Sequence, residues 1–175
     1  MEIIQTNSAV YKDQIIALYV EAFSIGKSQQ YIDLKELDVY IDLILKDGYV
    51  LFSKNNEDIT GAILICPLIL DKTLPSEISE NYDIEKCLYV AEMMVAEKVR
   101  GFGIGKELLT EFFKTVDKLR FTDVFIRVWN ENIPALNLYH KIGFEPVATI
   151  EQTKKKTDGI GNFVMEKIYL HKKLN

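Results

Sequence analysis

Three glycines lie within five positions, at Gly101, Gly103 and Gly105, between a nearly continuous apolar stretch and a helical pattern. The stretch before them, CLYVAEMMV at Cys87–Val95, contains a single charged residue, Glu92. Such continuity is typical of a strand that is buried on both faces of a sheet. Each glycine would weaken a regular helix or strand by roughly 0.5–1 kcal/mol relative to alanine. We therefore predict a buried strand, a glycine loop and a helix, in that order.

The glycine loop has the features of an anion-binding site. Its backbone N–H groups converge at the start of the following helix, where the helix dipole is positive. The missing Cβ atoms would let a pyrophosphate approach the main chain. Arg100 and Lys106 add positive charge at the two ends of the loop. The alternative is a tight strand-to-helix turn that needs glycine only for positive φ, and the loop by itself leaves both interpretations open.

Two nucleotide-binding motifs are excluded by the spacing of the glycines. The dinucleotide fingerprint G-x-G-x-x-G needs one residue more than the G-x-G-x-G of Gly101, Gly103 and Gly105. The phosphate-binding motif G-x-x-x-x-G-K-[ST] would need a glycine in place of Arg100 and a serine or threonine in place of Glu107. An anion site in this loop therefore belongs to neither class of nucleotide-binding protein.

Hydrophobic periodicity predicts the remaining elements and a mixed α/β fold in a single domain, residues 1–175. The helix that starts at Asp33 has a capping-box pattern, and the segment 71–86 is predicted to be a polar excursion or short helix. The basic run Lys154–Lys156 is predicted to lie in a solvated hairpin loop. Strands are expected at 3–6, 48–54, 59–70, 87–95, 123–129, 144–151 and 163–174, and helices at 11–23, 33–48, 108–119 and 132–142.

Composition limits the classes of function. The net charge of −5 gives no field that would attract nucleic acid or anionic lipid, and no apolar run is long enough to span a membrane. The two cysteines are far apart and there are only two histidines, so we expect no transition-metal site. The N-terminus lacks the pattern of a signal peptide, and we expect a reducing, cytoplasmic setting.

Two motifs resemble those of one enzyme family. The run Arg100-Gly-Phe-Gly-Ile-Gly105 resembles the pattern [RQ]-x-x-G-x-[GA] of the GNAT superfamily of acyl-CoA-dependent N-acyltransferases. The stretch Asn132–Phe144 resembles the same family's N-x-x-A-x-x-[LF]-Y-x-x-x-G-F signature. The resemblance implies a central, mixed, mostly antiparallel seven-stranded sheet flanked by about four helices. It also implies that the sheet is splayed between the strands at 88–95 and 123–128.

The resemblance implies where acetyl-CoA would bind. Its pantetheine arm would lie between the splayed strands, hydrogen-bonded to the backbone of Met93, Met94 and Val95. Asn132 is predicted to cap its helix, and in this family the equivalent asparagine often also touches the cofactor. The pyrophosphate would rest on the backbone N–H groups of Arg100, Gly101, Phe102, Gly103, Ile104, Gly105 and Lys106.

Acyl transfer to an amine needs a neutral amine, donors for the oxyanion and a proton for the leaving thiolate. By its position in the second motif, Tyr139 is the candidate general acid, although it could instead be a core aromatic residue. Glu92 is the candidate general base, and the alternatives are an ion pair or an exposed strand edge. Alternation along the strand puts Glu92 with Val90 and Met94 unless a bulge switches the faces. The Val95 N–H is the expected oxyanion donor.

We therefore expect an N-acetyltransferase that uses acetyl-CoA and no metal, with direct attack of a primary amine in a ternary complex. The alternative is a non-catalytic acyl-CoA-binding or regulatory module of the same fold. The acceptor is expected to be a small-molecule or peptide amine, and the net negative charge mildly favours a cationic small molecule. A monomer or homodimer is expected.

Overall fold

Five α-helices and seven strands make up the fold in the computed structural model, which describes residues 2–25 and 28–174. The strands are β1 (Glu2–Thr6), β2 (Tyr49–Asn55), β3 (Asp58–Pro67), β4 (Cys87–Val95), β5 (Asp123–Trp129), β6 (Glu145–Lys155) and β7 (Asn162–Lys173). The helices are α1 (Lys12–Ser24), α2 (Leu34–Asp47), α3 (Ser76–Ser79), α4 (Ile104–Thr115) and α5 (Ile133–Ile142).

The strands form one mixed sheet in the order β1-β2-β3-β4-β5-β7-β6. All neighbouring pairs are antiparallel except β4 and β5, which run parallel. This parallel pair is short, because it joins only Cys87–Val90 to Asp123–Ile126. Beyond Val90 the rest of β4, Ala91–Val95, no longer pairs with β5. The predicted mixed seven-stranded sheet and its splay between β4 and β5 are confirmed.

A β-bulge at Ala91 coincides with the point where β4 and β5 separate. Strand β3 pairs Ile65 with Val90 and Leu64 with Glu92, so two steps along β4 match one step along β3. An extra residue of this kind bends its strand and increases the local twist. The bulge thus directs the second half of β4 away from β5, while β4 stays hydrogen-bonded to β3 up to Val95.

Two hydrophobic cores cover the two faces of the sheet. On one face, Ile15 of α1 and Ile41 of α2 are buried against strand residues such as Phe52. On the other face, Leu108 and Phe112 of α4 are buried in a second cluster. We call these the α1/α2 face and the α4/α5 face. Each helix carries one apolar stripe, which explains why helices flank both sides of a sheet whose central strands are apolar throughout.

Helix α4 begins and ends four residues earlier than its periodicity predicts. It ends at Thr115, and Leu119, which we expected to extend its apolar stripe, is 100% exposed. The Asp117 carboxylate accepts hydrogen bonds from the N–H groups of Leu119 and Arg120 at 3.0 and 3.2 Å. Aspartate side chains commonly replace helical bonding in this way, so the chain turns here instead of continuing the helix.

The closing hairpin extends further than expected. Lys154 and Lys155 belong to β6 and not to a solvated loop, which leaves only 156–161 between the strands. Along β7 the sequence predicts that Val164, Ile168 and Leu170 lie on one face of the strand and that Glu166 and Lys167 lie on the other. This prediction is wrong for Glu166, because residues two apart in a strand share a face and Glu166 therefore lies on the face of Val164 and Ile168.

No helix within residues 2–25 and 28–174 is both long and apolar enough to cross a membrane.

The capping of α2 gives a test of the fold. Asp33 Oδ1 accepts hydrogen bonds from the N–H groups of Lys35 and Glu36 at 2.8 and 3.1 Å, which confirms the predicted cap. Asp33→Ala should lower the free energy of unfolding by about 1 kcal/mol in urea denaturation, because two helix N–H groups lose their acceptor. Asp47→Ala removes the same charge from the last turn of α2, where a negative charge is unfavourable, and should leave stability equal or slightly higher. Equal losses in both variants would contradict the capping role.

Candidate active site

A cleft of about 670 Å³ opens where β4 separates from β5. The second half of β4 forms one wall and the glycine loop with the start of α4 forms another. The first turn of α5 and Tyr139 close the cleft from the α4/α5 face. Its lining includes Met93, Met94, Val95, Arg100, Gly101, Gly103, Ile104, Gly105, Lys106, Trp129, Asn132 and Tyr139, so most of the predicted cofactor-binding residues lie around one space.

The main chain of β4 points hydrogen-bonding groups into this cleft. The N–H of Ala96 donates to the Thr60 carbonyl of the neighbouring chain segment at 3.0 Å. Because successive N–H groups of a strand point to alternate sides, those of Val95 and Met93 point the other way, toward the splay. No pairing with β5 reaches these residues. The strand therefore offers main-chain donors where the resemblance predicts the pantetheine arm and the oxyanion.

The glycines of the loop serve two different purposes. Gly101 and Gly103 both have φ of +85°, and a Cβ added to either would meet nothing within 4 Å. They are needed for the left-handed backbone, which other residues adopt only with strain. Gly105 is needed for space, because a Cβ there would lie 3.3 Å from both Leu138 and Met93. It lets α4 pack closely against α5 and β4.

The N–H groups at the start of α4 are the free donors of the loop. The first intrahelical bond joins the Glu107 N–H to the Gly103 carbonyl at 3.0 Å. Helical geometry leaves the preceding N–H groups, those of Ile104, Gly105 and Lys106, without intrahelical acceptors. The positive end of the helix dipole is also here. This part of the loop can bind an anion such as a pyrophosphate.

Arg100 and Phe102 differ from the rest of the loop. The Arg100 N–H donates to the Glu97 carbonyl at 3.2 Å, so it already has an acceptor. Its guanidinium Nε donates to the Val95 carbonyl at 3.1 Å and ties the loop to the end of β4. The Phe102 side chain is 78% exposed and is not part of the cleft lining.

Helix α5 positions two of the predicted site residues. Asn132 caps the helix, with its Oδ1 accepting from the Ala135 N–H at 3.4 Å, and it also lines the cleft. Tyr139 is only 4% exposed and its ring lies 6.0 Å from that of Phe144. Burial raises the pKa of the Tyr139 phenol, and the charge of Glu92 raises it further. The phenol is therefore neutral at pH 7 and able to donate a proton. Both interpretations of Tyr139 are compatible with this position.

Trp129 stands at the end of β5 and lines the cleft.

A second cavity of about 660 Å³ lies on the α1/α2 face of the same strands. Its walls come from α1, α2, β3, β4, β5 and the chain around residues 70–73. Glu92 lines this cavity, and the Tyr40 hydroxyl donates to its Oε1 at 3.3 Å. We call this cavity the acceptor pocket, because the candidate base Glu92 predicts that an acceptor would bind here; β4 contributes residues to both this cavity and the cleft.

The bulge at Ala91 decides which way Glu92 faces. Strict alternation predicted that Glu92 would share a face with both Val90 and Met94. Met94 belongs to the core of the α1/α2 face, whereas Val90 is buried in the core of the α4/α5 face. The alternation is therefore correct for Met94 and wrong for Val90, because the extra residue switches the faces.

Glu92 is held in an unfavourable environment for a carboxylate. Burial raises its pKa above the ordinary value, against the opposing effects of Lys167, Arg127, Lys154 and the Tyr40 hydroxyl. Among the described residues, no lysine, arginine or histidine nitrogen lies within 4 Å of it. It is thus neither half of a contact ion pair nor an exposed strand edge. A carboxyl with a raised pKa beside a cavity suits proton transfer.

Arg127 is a pocket residue that the sequence analysis missed. Its guanidinium Nη1 lies 2.8 Å from the Tyr169 hydroxyl, 3.5 Å from Asp71 and in contact with the Thr73 hydroxyl. The Tyr169 hydroxyl also donates to Asp71 Oδ2 at 2.7 Å. Arg127 is the only charge inside the strand DVFIRVW after its first residue. A lone charge in an apolar strand is the signal that singled out Glu92, and it could have found Arg127.

The fold combines a mixed seven-stranded sheet with a cleft between two splayed strands. A sequence model described as the acetyltransferase (GNAT) family matches residues 12–144. The chain belongs to this family, and membership implies acyl-CoA-dependent acetyl transfer.

Solved structures share the fold at low sequence identity. The ribosomal-protein-alanine N-acetyltransferase of Brucella melitensis is 18% identical, with a TM-score of 0.74 over 99% of this chain and 100% of that one. A putative acetyltransferase from Salmonella typhimurium, solved with its cofactor acetyl-CoA, is 15% identical, with a TM-score of 0.71 over 100% and 95%. An N-acetyltransferase from Staphylococcus aureus Mu50 is 14% identical, with a TM-score of 0.73 over 100% of both chains.

The raised pKa of Glu92 predicts a pH-dependent stability. The folded protein holds this proton more tightly than the unfolded chain, whose carboxyl has the ordinary pKa near 4.5. The protonated Glu92 carboxyl therefore contributes its full stabilisation of the fold below about pH 4.5. This contribution is lost as the pH rises through the raised pKa of the folded protein. Glu92→Gln should therefore match the wild type in free energy of unfolding near pH 4 and exceed it increasingly toward pH 8. Glu145→Gln, at an exposed position in β6, should show no such trend. A constant difference across this range would contradict the assignment.

Proposed function

We propose that the protein is an N-acetyltransferase that transfers the acetyl group of acetyl-CoA to a primary amine. The observation that carries the proposal is the cleft between β4 and β5. It places strand donors, the N-terminus of α4 and Tyr139 around one space, and it adjoins a pocket that contains Glu92. The residues present fit acetyl-CoA in chemistry, since a pyrophosphate needs N–H donors and a pantetheine arm needs an open strand edge.

The residues of the cleft have separate parts in binding the co-substrate. The N–H groups of Ile104, Gly105 and Lys106 bind the pyrophosphate, helped by the glycines that keep the loop free of Cβ atoms. The backbone of Met93 and Val95 binds the pantetheine arm. Arg100 acts mainly by holding the loop to Val95. Asn132, the N-cap residue of α5, lines the cleft and contacts the co-substrate.

The reaction requires removal of a proton from the acceptor. An alkylammonium group has a pKa of about 10.4 and is almost wholly protonated at pH 7. Glu92 accepts this proton through water, and its raised pKa brings it nearer to the working pH. The neutral amine then attacks the thioester carbonyl and the Val95 N–H donates to the oxyanion. The C–S bond breaks as the intermediate collapses, and Tyr139 protonates the departing thiolate. The acylated nitrogen releases its remaining extra proton, which restores the Tyr139 phenol.

Direct attack is favoured over a covalent acyl-enzyme. Cys66 lines the acceptor pocket, but burial raises the pKa of its thiol to about 12. Burial likewise raises the pKa of Cys87 to about 12. Neither thiol forms the thiolate that a nucleophilic cysteine needs at pH 7. The expected cytoplasmic location, the single domain and the monomeric or dimeric state stay predictions.

The acid and the base can be tested by thiol release from acetyl-CoA with a panel of polyamines, amino acids, aminoglycosides and peptides. Tyr139→Phe keeps the ring that packs on Phe144 and should lower kcat about 100-fold, because the leaving thiolate loses its proton donor. Glu92→Gln should lower the rate about 10- to 100-fold at pH 7. The loss of rate in Glu92→Gln should become smaller as the pH approaches the amine pKa of about 10.4, because the amine is then already neutral and needs no base.

Tyr49→Phe is the matched control, since Tyr49 lies in β2 and lines neither cavity. It should retain wild-type activity. An undiminished rate in Tyr139→Phe would rule out the general-acid role. Micromolar binding of acetyl-CoA with no thiol release for any amine would favour a non-catalytic acyl-CoA-binding module.

A further inference from the structure

The interior of the acceptor pocket is mainly apolar. Side chains that are buried or half-buried, and that are aliphatic or aromatic, form most of it, including Tyr19, Tyr40, Leu43, Ile44, Leu70 and Ala91. The volume of about 660 Å³ is typical of a site for a small molecule. Walls of this kind gain free energy by covering an apolar ligand surface, because water is then removed from both.

Three charged side chains at the pocket are exposed to solvent: Lys35, Glu36 and Lys72. Lys35 and Glu36 lie in the first turn of α2, and Lys72 lies in the chain around residues 70–73. Exposed charges stay solvated whether or not a ligand is bound, and salt screens them. These three residues therefore form the mouth of the pocket and do not require a charged partner in its interior.

Two charges further inside, Arg127 and Asp71, compensate each other. Their side chains are 18% and 4% exposed, and Arg127 Nη1 lies 3.5 Å from Asp71 Oδ1. The same nitrogen also contacts the hydroxyls of Thr73 and Tyr169. The Tyr169 hydroxyl in turn donates to Asp71 Oδ2 at 2.7 Å. A further charged group beside this pair would lose its water without finding an unpaired opposite charge.

Glu92 is the remaining charge of the interior. It is half-buried, and within the residues that the structure describes no cationic nitrogen lies within 4 Å of it. The Tyr40 hydroxyl donates to it at 3.3 Å, and the Tyr40 and Tyr19 rings lie 6.5 Å apart in the same wall. A carboxylate beside aromatic rings is a favourable place for one ammonium group. The pocket thus combines a site for one amine with an otherwise apolar surface.

We propose that the acceptor is a primary amine with one charged group and an apolar body, either an arylalkyl or a long alkyl chain. The amine lies at Glu92, and the body lies against apolar side chains such as Leu43 and Leu70. A second charged group on the acceptor would be buried in the apolar interior, so binding disfavours it. This inference rests on the proposed acetyl transfer, and it names the class of substrate that the site accepts.

Acceptors that share one six-carbon chain test the effect of a second charge. Hexylamine, 1,6-diaminohexane and 6-aminohexanoate are compared with the full chain by thiol release at saturating acetyl-CoA. We expect kcat/KM for hexylamine to be at least about 10-fold higher than for the other two, because only they must desolvate a second charge. An equal or higher kcat/KM for the diamine or for the aminohexanoate would overturn the proposal.

A second series tests the apolar body itself. From ethylamine through butylamine to hexylamine, kcat/KM should rise up to about fourfold for each added CH₂ group, as expected for burial of apolar surface. 2-Phenylethylamine should likewise exceed ethylamine by at least about 10-fold. A kcat/KM that stays constant or falls along the series contradicts an apolar site.

Two adjacent residues give a matched pair of variants. Leu70 lines the pocket, whereas Ile69 is 57% exposed and lines neither cavity. Leu70→Ala should lower kcat/KM for hexylamine about 10-fold, chiefly through KM, and leave ethylamine within about twofold, because only the longer body reaches this wall. Ile69→Ala should change neither acceptor. Equal losses for hexylamine and ethylamine in Leu70→Ala would indicate a structural role only and would overturn the proposal.

Calorimetric binding to the protein saturated with CoA decides the matter if there is no turnover. Selective binding of hexylamine over 1,6-diaminohexane and 6-aminohexanoate, weakened by Leu70→Ala, supports the apolar acceptor site and contradicts acetyl transfer alone. Equal or absent binding of all three contradicts the acceptor class. Turnover without any preference among them supports acetyl transfer and overturns this inference. The two proposals can therefore fail separately.

Discussion

The whole arrangement depends on where β4 and β5 stop pairing. Their parallel ladder ends at Val90 and Ile126, and the bulge at Ala91 turns the rest of β4 away. One extra residue has two effects, because it opens an edge of N–H groups toward the cleft and moves Glu92 onto the α1/α2 face. Without the bulge Glu92 would share the face of Val90, inside the apolar core of α4 and α5. The cleft and the acceptor pocket are therefore consequences of one local irregularity.

The two cavities divide the chemistry between the two faces of the sheet. The cleft offers uncharged main-chain donors and the neutral phenol of Tyr139, which suit a pyrophosphate and a leaving thiolate. The acceptor pocket contains partly buried charged side chains, among them Glu92 of β4 and Arg127 of β5. Burial makes each of these charges costly, so their protonation is sensitive to what occupies the pocket.

Sequence patterns predicted most of the elements, because these follow from periodicity and local motifs, whereas the splay between β4 and β5 was implied by the resemblance to the GNAT family. The Asp33 cap, the helix that begins after Asn132 and the strand before the glycines all depend on neighbours in the chain. The acceptor pocket was harder to predict because its residues are brought together by pairing between distant strands. Arg127, for example, meets Asp71 across 56 residues of sequence. The bulge at Ala91 has no glycine or proline to reveal it.

Amide hydrogen exchange measured by NMR, with and without acetyl-CoA, tests the central claim that the splayed strands form the co-substrate site. We expect slower exchange on binding for the N–H groups of Met93 and Val95 in β4 and of Ile104, Gly105 and Lys106 in α4. Exchange in β1 and β2, at the far edge of the sheet, should be unchanged. Saturation with acetyl-CoA that leaves those five amides unaffected, or that protects a different part of the chain instead, would contradict it.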